Sequence, residues 1–378
     1  MAAGHEVHLI TSRRAGQVGA EDDQWTTSVE AGIQVHWCSV PYSNEMSFLR
    51  RIAAFVRFAV AAARRSVGIG GDVIFATSTP LTIALPAIYA HWRLHKPFVF
   101  EVRDLWPEVP IALGVIRNPV LIGAARALES AAYRYACQIV ALSPPMRDGI
   151  VARGVPANRV TVVPNGADIN VFEPSRNLGQ VVRTSHPWLG DRPLVLYAGT
   201  LGFANGIDYL VRLAASIRPH APETRFAVIG DGAERGAIET LARSHGVLEE
   251  TLFLLPPVSK TEIVRWFSAA DVVTSFVIDV PAMHANSANK FFDGLAAGRP
   301  LAINHEGWQA DILRTEGAGI VLPPRNAAKG AEVLLGFLNS EEHLRDAGLQ
   351  ARRVAEERFS RDVLAAQLLQ VIVTAVGS

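Results

Sequence analysis

The feature that most restricts this chain is an alternation. Apolar runs of strand length recur along it with amphipathic, helix-length segments between them, in two successive series. The first series places strands at Glu6 to Thr11, Ile33 to Val40, Val73 to Ala76, Phe98 to Val102, Gln138 to Leu142 and Val160 to Val163. Helical patterns fall at Met46 to Ser66, Leu81 to Leu94, Val120 to Tyr135 and Pro145 to Arg153. The second series predicts strands at Leu194 to Ala198, Phe226 to Ile229, Thr251 to Leu255, Val272 to Phe276, Leu301 to Asn304 and Ile320 to Leu322. Its helices are expected at Ile207 to Ile217, Glu234 to His245, Lys260 to Ala269, Ser287 to Ala297, Ala327 to Asn339, Glu341 to Glu357 and Arg361 to about Thr374. Strands alternating with helices call for doubly wound parallel sheets in an α/β fold. Ligands of such sheets bind at the carboxyl ends of the strands.

A length of 378 residues exceeds one ordinary core, which favours two domains. The first is expected over 1–173 and the second over 193–358, with a C-terminal helix at 359–378. Between them 174–192 loses periodicity and carries Pro174, Gly179, Pro187 and Gly190, so it reads as a linker. The first series opens oddly. Met1 to Gly4 resembles the last turn of a helix with a glycine cap, and no opening strand with a glycine-rich loop precedes Glu6. The N-terminal domain is therefore expected to lack a piece of roughly 30 residues, the scale of a βαβ unit, or to be permuted or degraded.

Composition excludes several classes. The formal net charge is zero and the pI about 7.2, so no global charge points to nucleic acid. Two cysteines, each in an apolar run, suit neither a disulfide framework nor a cysteine metal site, and fit a reducing cytosol. No apolar run reaches the roughly 20 residues that span a bilayer, and no signal peptide opens the chain. A cytoplasmic protein, peripheral at most on the membrane's inner face, is expected.

The segment Ser287 to Pro300 holds the densest chemistry. Asn286 or Ser287 can cap a helix, Gly298 ends it and Pro300 blocks its continuation. Phe291, Phe292, Leu295 and Ala296 form its buried side, while Lys290 and Asp293 share the other. A helix start with free amides and a lysine is an anion site. Asp293 lies roughly 4.5 Å further along the axis, about the step from a diphosphate to a ribose. The plainer alternative is an amphipathic helix with a surface ion pair. Gly199 to Gly206 is a glycine-rich strand-to-helix loop, which lets backbone approach a phosphate or serves only as a turn. It matches neither a Walker A loop nor a dinucleotide fingerprint, which disfavours a dehydrogenase. Gly230-Asp231-Gly232 reads as a structural turn.

In the first series Arg103, Asp104, Trp106 and Glu108 follow a buried strand. Arg103 suits a phosphate or carboxylate. Trp106 can stack on a sugar ring, and Asp104 or Glu108 can accept from sugar hydroxyls; an internally paired loop is the alternative. The segment 46–66 is amphipathic and carries five arginines, which suits an anionic membrane surface or an ordinary solvent-facing helix. The histidines do not cluster, and no Asp-x-Asp ends a strand, so no metal is expected.

Taken together, the chain resembles the retaining glycosyltransferases of family 4. The resemblance is carried by Gly4-His5-Glu6-Val7, Val163-Pro164-Asn165-Gly166-Ala167-Asp168, the Gly199 loop, Gly230-Asp231-Gly232 and Asn289 to Pro300. Arg103 to Glu108, with Asn289-Lys290-Phe291-Phe292-Asp293, is similar to the branch that builds O-antigens and capsules, including fucosamine-type transferases. The resemblance implies a GT-B fold, two Rossmann-like domains facing across a cleft, the first here without its opening strand. It implies a nucleotide-diphosphate-sugar donor held by the second domain and a lipid-linked saccharide acceptor held by the first. The anomeric C–O bond breaks with retained configuration, and neither metal nor other cofactor takes part. Lys290 and Arg103 take the catalytic positions. Gly199, Thr200, Leu201, Asn205, Ser287, Asn289, Phe291 and Asp293 take donor-binding ones, with Asp293 on the ribose and Leu254 to Val258 beside the base. Asp104, Trp106 and Glu108 face the acceptor. Thr200 and Asn205 stand where the family often has arginine and lysine, which leaves Lys290 as the visible diphosphate cation; Ala285 stands at the first acid of the family's glutamate pair. Two alternatives remain open: a nucleotide-sugar epimerase of the same fold, and a non-catalytic remnant that binds nucleotide or a partner.

Overall fold

A computed structural model describes residues 4–14, 25–42, 46 and 48–377. It divides into two units, one built from the residues up to Leu142 with Met146–Val162 and Leu368 onward, the other from Ser143–Pro145 and Val163–Gln367. The helical reading of Met1 to Ala3 lies outside the described residues.

The first unit carries strands β1 (His8–Arg14), β2 (Trp25–Glu30), β3 (Ile33–Tyr42), β4 (Ile74–Thr77), β5 (Phe98–Val102), β6 (Gln138–Ala141) and β7 (Val160–Val162). They form two sheets, β1-β3-β2 and β4-β5-β6-β7, parallel throughout except for β2 against β3. Strand β2 was not anticipated. Its sequence WTTSVE is polar and its residues are half-buried to exposed, so it lacks the apolar run of a core strand. A tight turn makes it: Ala31 and Gly32 both take left-handed backbone, φ 49° and 85°, the combination that closes a two-residue hairpin.

Among the described residues β1 pairs only with β3, and β4 only with β5. A cavity of about 630 Å³ lies along the other edges of β1 and β4, lined by Leu9, Ile10, Phe58, Ile74, Phe75 and Trp106 among others. Among the described residues the strands of this unit thus form two sheets rather than the single parallel sheet expected. Helices Phe48–Ile69, Ala84–Leu94 and Pro119–Tyr135 connect β3 through β6. The last has Pro119 in its first turn and Asn118 as its cap, whose side chain accepts from the amides of Val120 and Leu121 at 2.9 and 3.3 Å.

The second unit holds one fully parallel sheet of β8 (Leu194–Ala198), β9 (Arg225–Ile229), β10 (Leu252–Leu255), β11 (Val272–Thr274), β12 (Leu301–Ile303) and β13 (Gly319–Val321). The order is β10-β9-β8-β11-β12-β13. The chain therefore winds outward from β8 in one direction and then, from β11, in the other. That reversal opens a crevice at the carboxyl ends of β8 and β11, where sheets of this kind bind ligands. Successive side chains of β8 go to opposite faces: Leu194 and Leu196 join one core with Phe267, Phe291 and Leu295, while Val195 and Tyr197 join another with Leu210 and Phe276.

The segment 174–192, expected as a linker, is instead packed into this unit. Its helix Arg176–Ser185 is capped by Ser175 and buries Val182. Gly179 is a close-packing residue here, since a Cβ on it would stand 2.5 Å from the Ser268 carbonyl oxygen. Arg183 fastens the helix to the Ala269 carbonyl at 2.7 Å and to Asp271 at 3.0 Å. The glycine and prolines that suggested a linker mark contacts and ends. Helix Trp308–Glu316 was likewise not anticipated, and the helix expected at Glu341 to Glu357 runs as Glu341–Val354 with a π turn at Ala355–Phe359. Cys38 and Cys137 are both free. No helix of the described residues is long and apolar enough to cross a membrane.

Candidate active site

At the carboxyl end of β8 the backbone turns through Gly199, whose φ of 153° is open to glycine. A Cβ there would meet Lys290 Cε at 3.3 Å and the Tyr197 hydroxyl at 3.4 Å. The neighbouring turn clamps this loop. A Cβ on Gly230 would fall 1.9 Å from the Gly199 carbonyl oxygen, and one on Gly232 2.4 Å from that of Leu201. Backbone bonds complete the clamp: the Gly199 amide donates to Ile229 O at 3.0 Å and the Leu201 amide to Asp231 O at 2.9 Å. Gly230-Asp231-Gly232 is structural as expected, and it also borders the site.

The helix that follows β11 runs over Asn289–Ala296. Its N-cap is Ala288, with no side-chain cap, rather than Asn286 or Ser287. Both expected caps are engaged elsewhere: Asn286 Oδ1 accepts from the Ala288 amide at 3.0 Å, and Ser287 Oγ accepts from the Asn165 amide at 3.2 Å. Among the described residues no side chain caps the first-turn amides, so the positive end of the helix is uncapped. The other end closes as the sequence predicts, with Gly298 at φ 60° donating to Leu295 O and Arg299 to Gly294 O. Phe291, Phe292 and Leu295 are wholly buried. Each contributes roughly 1.5–3 kcal/mol of burial, which holds the opposite side of the helix in place.

On that opposite side Lys290 Nζ donates to Asn205 Oδ1 at 2.7 Å and to the Tyr197 hydroxyl oxygen at 3.2 Å. It lies 4.7 Å from the centre of the Tyr197 ring, a cation–π contact. Tyr197 in turn donates to Thr200 O at 2.8 Å. Burial lowers the Lys290 ammonium to about 8 and raises the Asp293 carboxyl to about 7. Asp293 also feels Lys260 and Arg361, which oppose its rise, and Asp168, which adds to it. Asp168 is itself held by Lys260 at 2.7 Å and Arg361 at 2.8 Å.

Lys290, Asp293, Asn289, Gly199, Thr200 and Asn205 line one cavity of about 610 Å³, together with Asp231, Pro257, Val258, Ile263 and Phe267. The structure thus brings six of the nine donor-side and catalytic candidates in this unit, Lys290 among them, to one place. It does not bring Leu201 or Phe291, which are fully buried, nor Ser287, which is tied to Asn165. Pro257 and Val258 fall inside the stretch expected beside a base. Tyr197, Asn165, Lys260, Asp168 and Arg361 were not singled out as site residues. Asn165 and Asp168 lie in the Val163 to Asp168 motif, while Tyr197, Lys260 and Arg361 stand on separate segments that only the fold collects. His284 sits 3.7 Å from Asp279 and stacks on His305, apart from the residues lining the cavity.

In the first unit the Arg103 amide donates to Ser78 Oγ at 3.0 Å, and its guanidinium lies 3.6 Å from Glu101. Asp104 accepts from Thr79 Oγ1 at 3.1 Å, and burial raises its carboxyl above the usual range. Glu108 is bonded to Arg153, and Trp106 lines the apolar cavity beside β4. Arg103 thus lies beside Glu101, and its charge also acts on Asp104, opposing the rise of that carboxyl.

Comparison with known proteins agrees with the fold. Residues 1–166 match the glycosyl transferase 4-like domain, and residues 180–354 match glycosyl transferases group 1. The D-inositol 3-phosphate glycosyltransferase of Xylanimonas cellulosilytica is 30% identical over 227 residues, 58% of this chain and 52% of the relative. WcaI of Escherichia coli strain K12, named for colanic acid biosynthesis, is 22% identical over 67% of this chain and 65% of its own length. The matches thus span about half to two thirds of these relatives. HepE of Anabaena, solved with UDP-glucose, superposes with a TM-score of 0.72 at 15% identity, covering 98% of this chain and all of its own. In both halves, then, the chain belongs with the glycosyltransferases, a 4-like domain followed by a group 1 domain on the GT-B fold.

Proposed function

We propose that this protein moves a sugar from a nucleotide-diphosphate donor to a lipid-linked saccharide during the building of cell-surface polysaccharide, O-antigen, capsule or exopolysaccharide. The observation that carries the reading is the 610 Å³ cavity, where Lys290, the uncapped helix start and the Gly199 loop converge, with Asp293 one turn away. A leaving diphosphate develops negative charge, and preorganised donors aimed at that charge lower the barrier. In this reading Lys290 and the first-turn amides hold the diphosphate, Asp293 binds the ribose, and Pro257 and Val258 flank the base. Arg103 assists in the first unit, where Asp104, Trp106 and Glu108 serve the acceptor. The transfer retains anomeric configuration and needs no metal. The similarity to WcaI supports a polysaccharide role, and the fold of HepE, solved with UDP-glucose, supports a nucleotide-sugar donor. The protein works in the cytoplasm, on the inner face of the membrane, with its basic helix toward the lipid.

Donor turnover on a polyprenyl-diphosphate saccharide, followed with and without EDTA, tests the reading. Turnover should withstand EDTA and vanish in Lys290→Ala. Undiminished turnover in that variant removes Lys290 from the chemistry. A second reading is favoured by the cavity beside β1 and β4, whose other edges pair with no strand among the described residues. On that reading the chain binds nucleotide without turning it over. UDP binding by the folded protein with no turnover on any acceptor would establish it.

A further inference from the structure

In the first unit one guanidinium stands between two carboxylates. Arg153 Nη2 donates to Glu108 Oε1 and lies 3.4 Å from Glu129 Oε2. The two acids differ in setting. Glu108 opens the short helix Glu108–Ala112 with its side chain 35% exposed, whereas Glu129, on helix Pro119–Tyr135, is 3% exposed. From that same helix the Tyr133 hydroxyl donates to Glu129, and Arg126 acts on it electrostatically. Tyr133 in turn packs against Phe100 of β5, 6.3 Å between ring centres, and β5 leads directly into the Arg103 to Glu108 segment.

A second contact fixes the same segment. Arg153 sits in the turn that ends helix Pro144–Ala152, where its amide donates to Ile150 O at 3.1 Å. Gly149 of that helix faces Leu105: a Cβ on it would stand 2.9 Å from Leu105 Cδ1. Gly149 and Arg153, four residues apart, thus bring one side of the helix to the segment at two points. A wholly exposed ion pair would hold Glu108 loosely, because two long side chains lose entropy to keep one geometry in water. Here the guanidinium is tied from within to a buried carboxylate that a hydroxyl holds in turn, so it reaches Glu108 from a fixed point. The bond does not use Glu108 up. A carboxylate accepts at about four positions, and with Oε1 on Arg153 the group still offers Oε2 to a sugar hydroxyl.

We propose that Arg153 is a positioning residue, anchored from the interior by Glu129, that sets the Glu108 carboxylate for a hydroxyl of the acceptor saccharide. The inference rests on the reading that Glu108 serves the acceptor, and adds the two residues that act through it. Burial raises the Glu129 carboxyl to about 7, so on loss of Arg153 it can hold a proton instead of leaving a bare charge in the interior.

Initial rates on a polyprenyl-diphosphate saccharide, measured for Glu108→Gln, Arg153→Ala and the double variant, form a cycle that tests it. Arg153→Ala should raise the acceptor KM roughly tenfold, with donor KM and UDP binding unchanged. Glu108→Gln should raise the acceptor KM as well. The double variant should be no worse than Glu108→Gln alone, because without the carboxylate Arg153 has nothing to set. Glu129→Gln, whose amide oxygen still accepts from Tyr133, should raise the acceptor KM less than Arg153→Ala does. Arg153→Lys keeps the charge and should fall between wild type and Arg153→Ala; it takes the place of Arg153→Ala in the cycle if circular dichroism shows that variant unfolded. Effects of the two single substitutions that multiply in the double variant overturn the inference and leave the acceptor reading standing. A loss in Arg153→Ala that falls equally on donor and acceptor KM does the same. An acceptor KM unchanged by Glu108→Gln, or a wild type that turns over no acceptor, overturns the acceptor reading and the inference with it.

Discussion

Replacing Lys290 by methionine should stabilise the free protein and cost it the donor. Burial lowers the ammonium from 10.5 to about 8. At 1.36 kcal/mol per unit, a charged Lys290 destabilises the native state by about 3 kcal/mol. The unfolded chain keeps its proton up to the higher value, so between about pH 8 and pH 10.5 it binds more protons than the native one. Stability therefore rises with pH through that window, and the full penalty is present below it. Methionine removes the penalty and keeps an apolar side chain against the Tyr197 ring. It forfeits the bonds to Asn205 and Tyr197, about 1 kcal/mol each. The net expected at pH 7 is a gain of about 1 kcal/mol, roughly 2–4 °C in Tm for a unit of this size. Near pH 9.5 most of the wild-type penalty is gone, and the order of the two proteins should reverse. Losing a charge-assisted bond of about 1.5–3 kcal/mol should weaken UDP binding roughly 10- to 150-fold, so UDP should raise the Tm of wild type far more than that of Lys290→Met. Thermal unfolding at both pH values, with and without UDP, reads all of this. A variant less stable than wild type by the same margin at pH 7 and 9.5, or stabilised equally by UDP, would refute the reasoning.

Asp293→Asn should act in the opposite pH direction. The native carboxyl, raised to about 7 from 3.8, holds a proton that the unfolded chain releases, so wild-type stability falls as pH rises from about 4 to 7; the variant should lose that slope in urea titrations and bind UDP roughly tenfold more weakly. Gly230→Ala places a methyl 1.9 Å from the Gly199 carbonyl. The loop must move, and a loss of roughly 1–3 kcal/mol in urea stability is expected, with weakened UDP binding by calorimetry; wild-type values in both would show that the clamp does not set the loop.

The particulars show where sequence reasoning reaches. The apolar periods located β5 and β8 to the residue, and the spacing of Lys290 and Asp293 put both on one cavity wall. Periodicity works there because burial is local and repeats with the backbone. It fails for β2, a polar edge strand made by a turn, and for helix Arg176–Ser185, whose glycine looked like a breaker and is a contact. It also misjudged the helix cap. Asn286 and Ser287 have the right chemistry, yet long-range packing spends Ser287 on Asn165, across more than a hundred residues of sequence.

What the sequence determined alone was the architecture of alternating strands and helices, the two-part organisation, and most of the polar residues that line the cavity beside the Gly199 loop. Those follow from patterns of a few residues, where hydrophobic burial and backbone geometry decide. The tertiary structure decided which of those residues meet. It turned Tyr197 and Asn205 toward Lys290, drew Asp168, Lys260 and Arg361 to the surroundings of Asp293, and left the helix start uncapped. It also set the charges of the pair, because desolvation depends on what the whole chain stacks around a group.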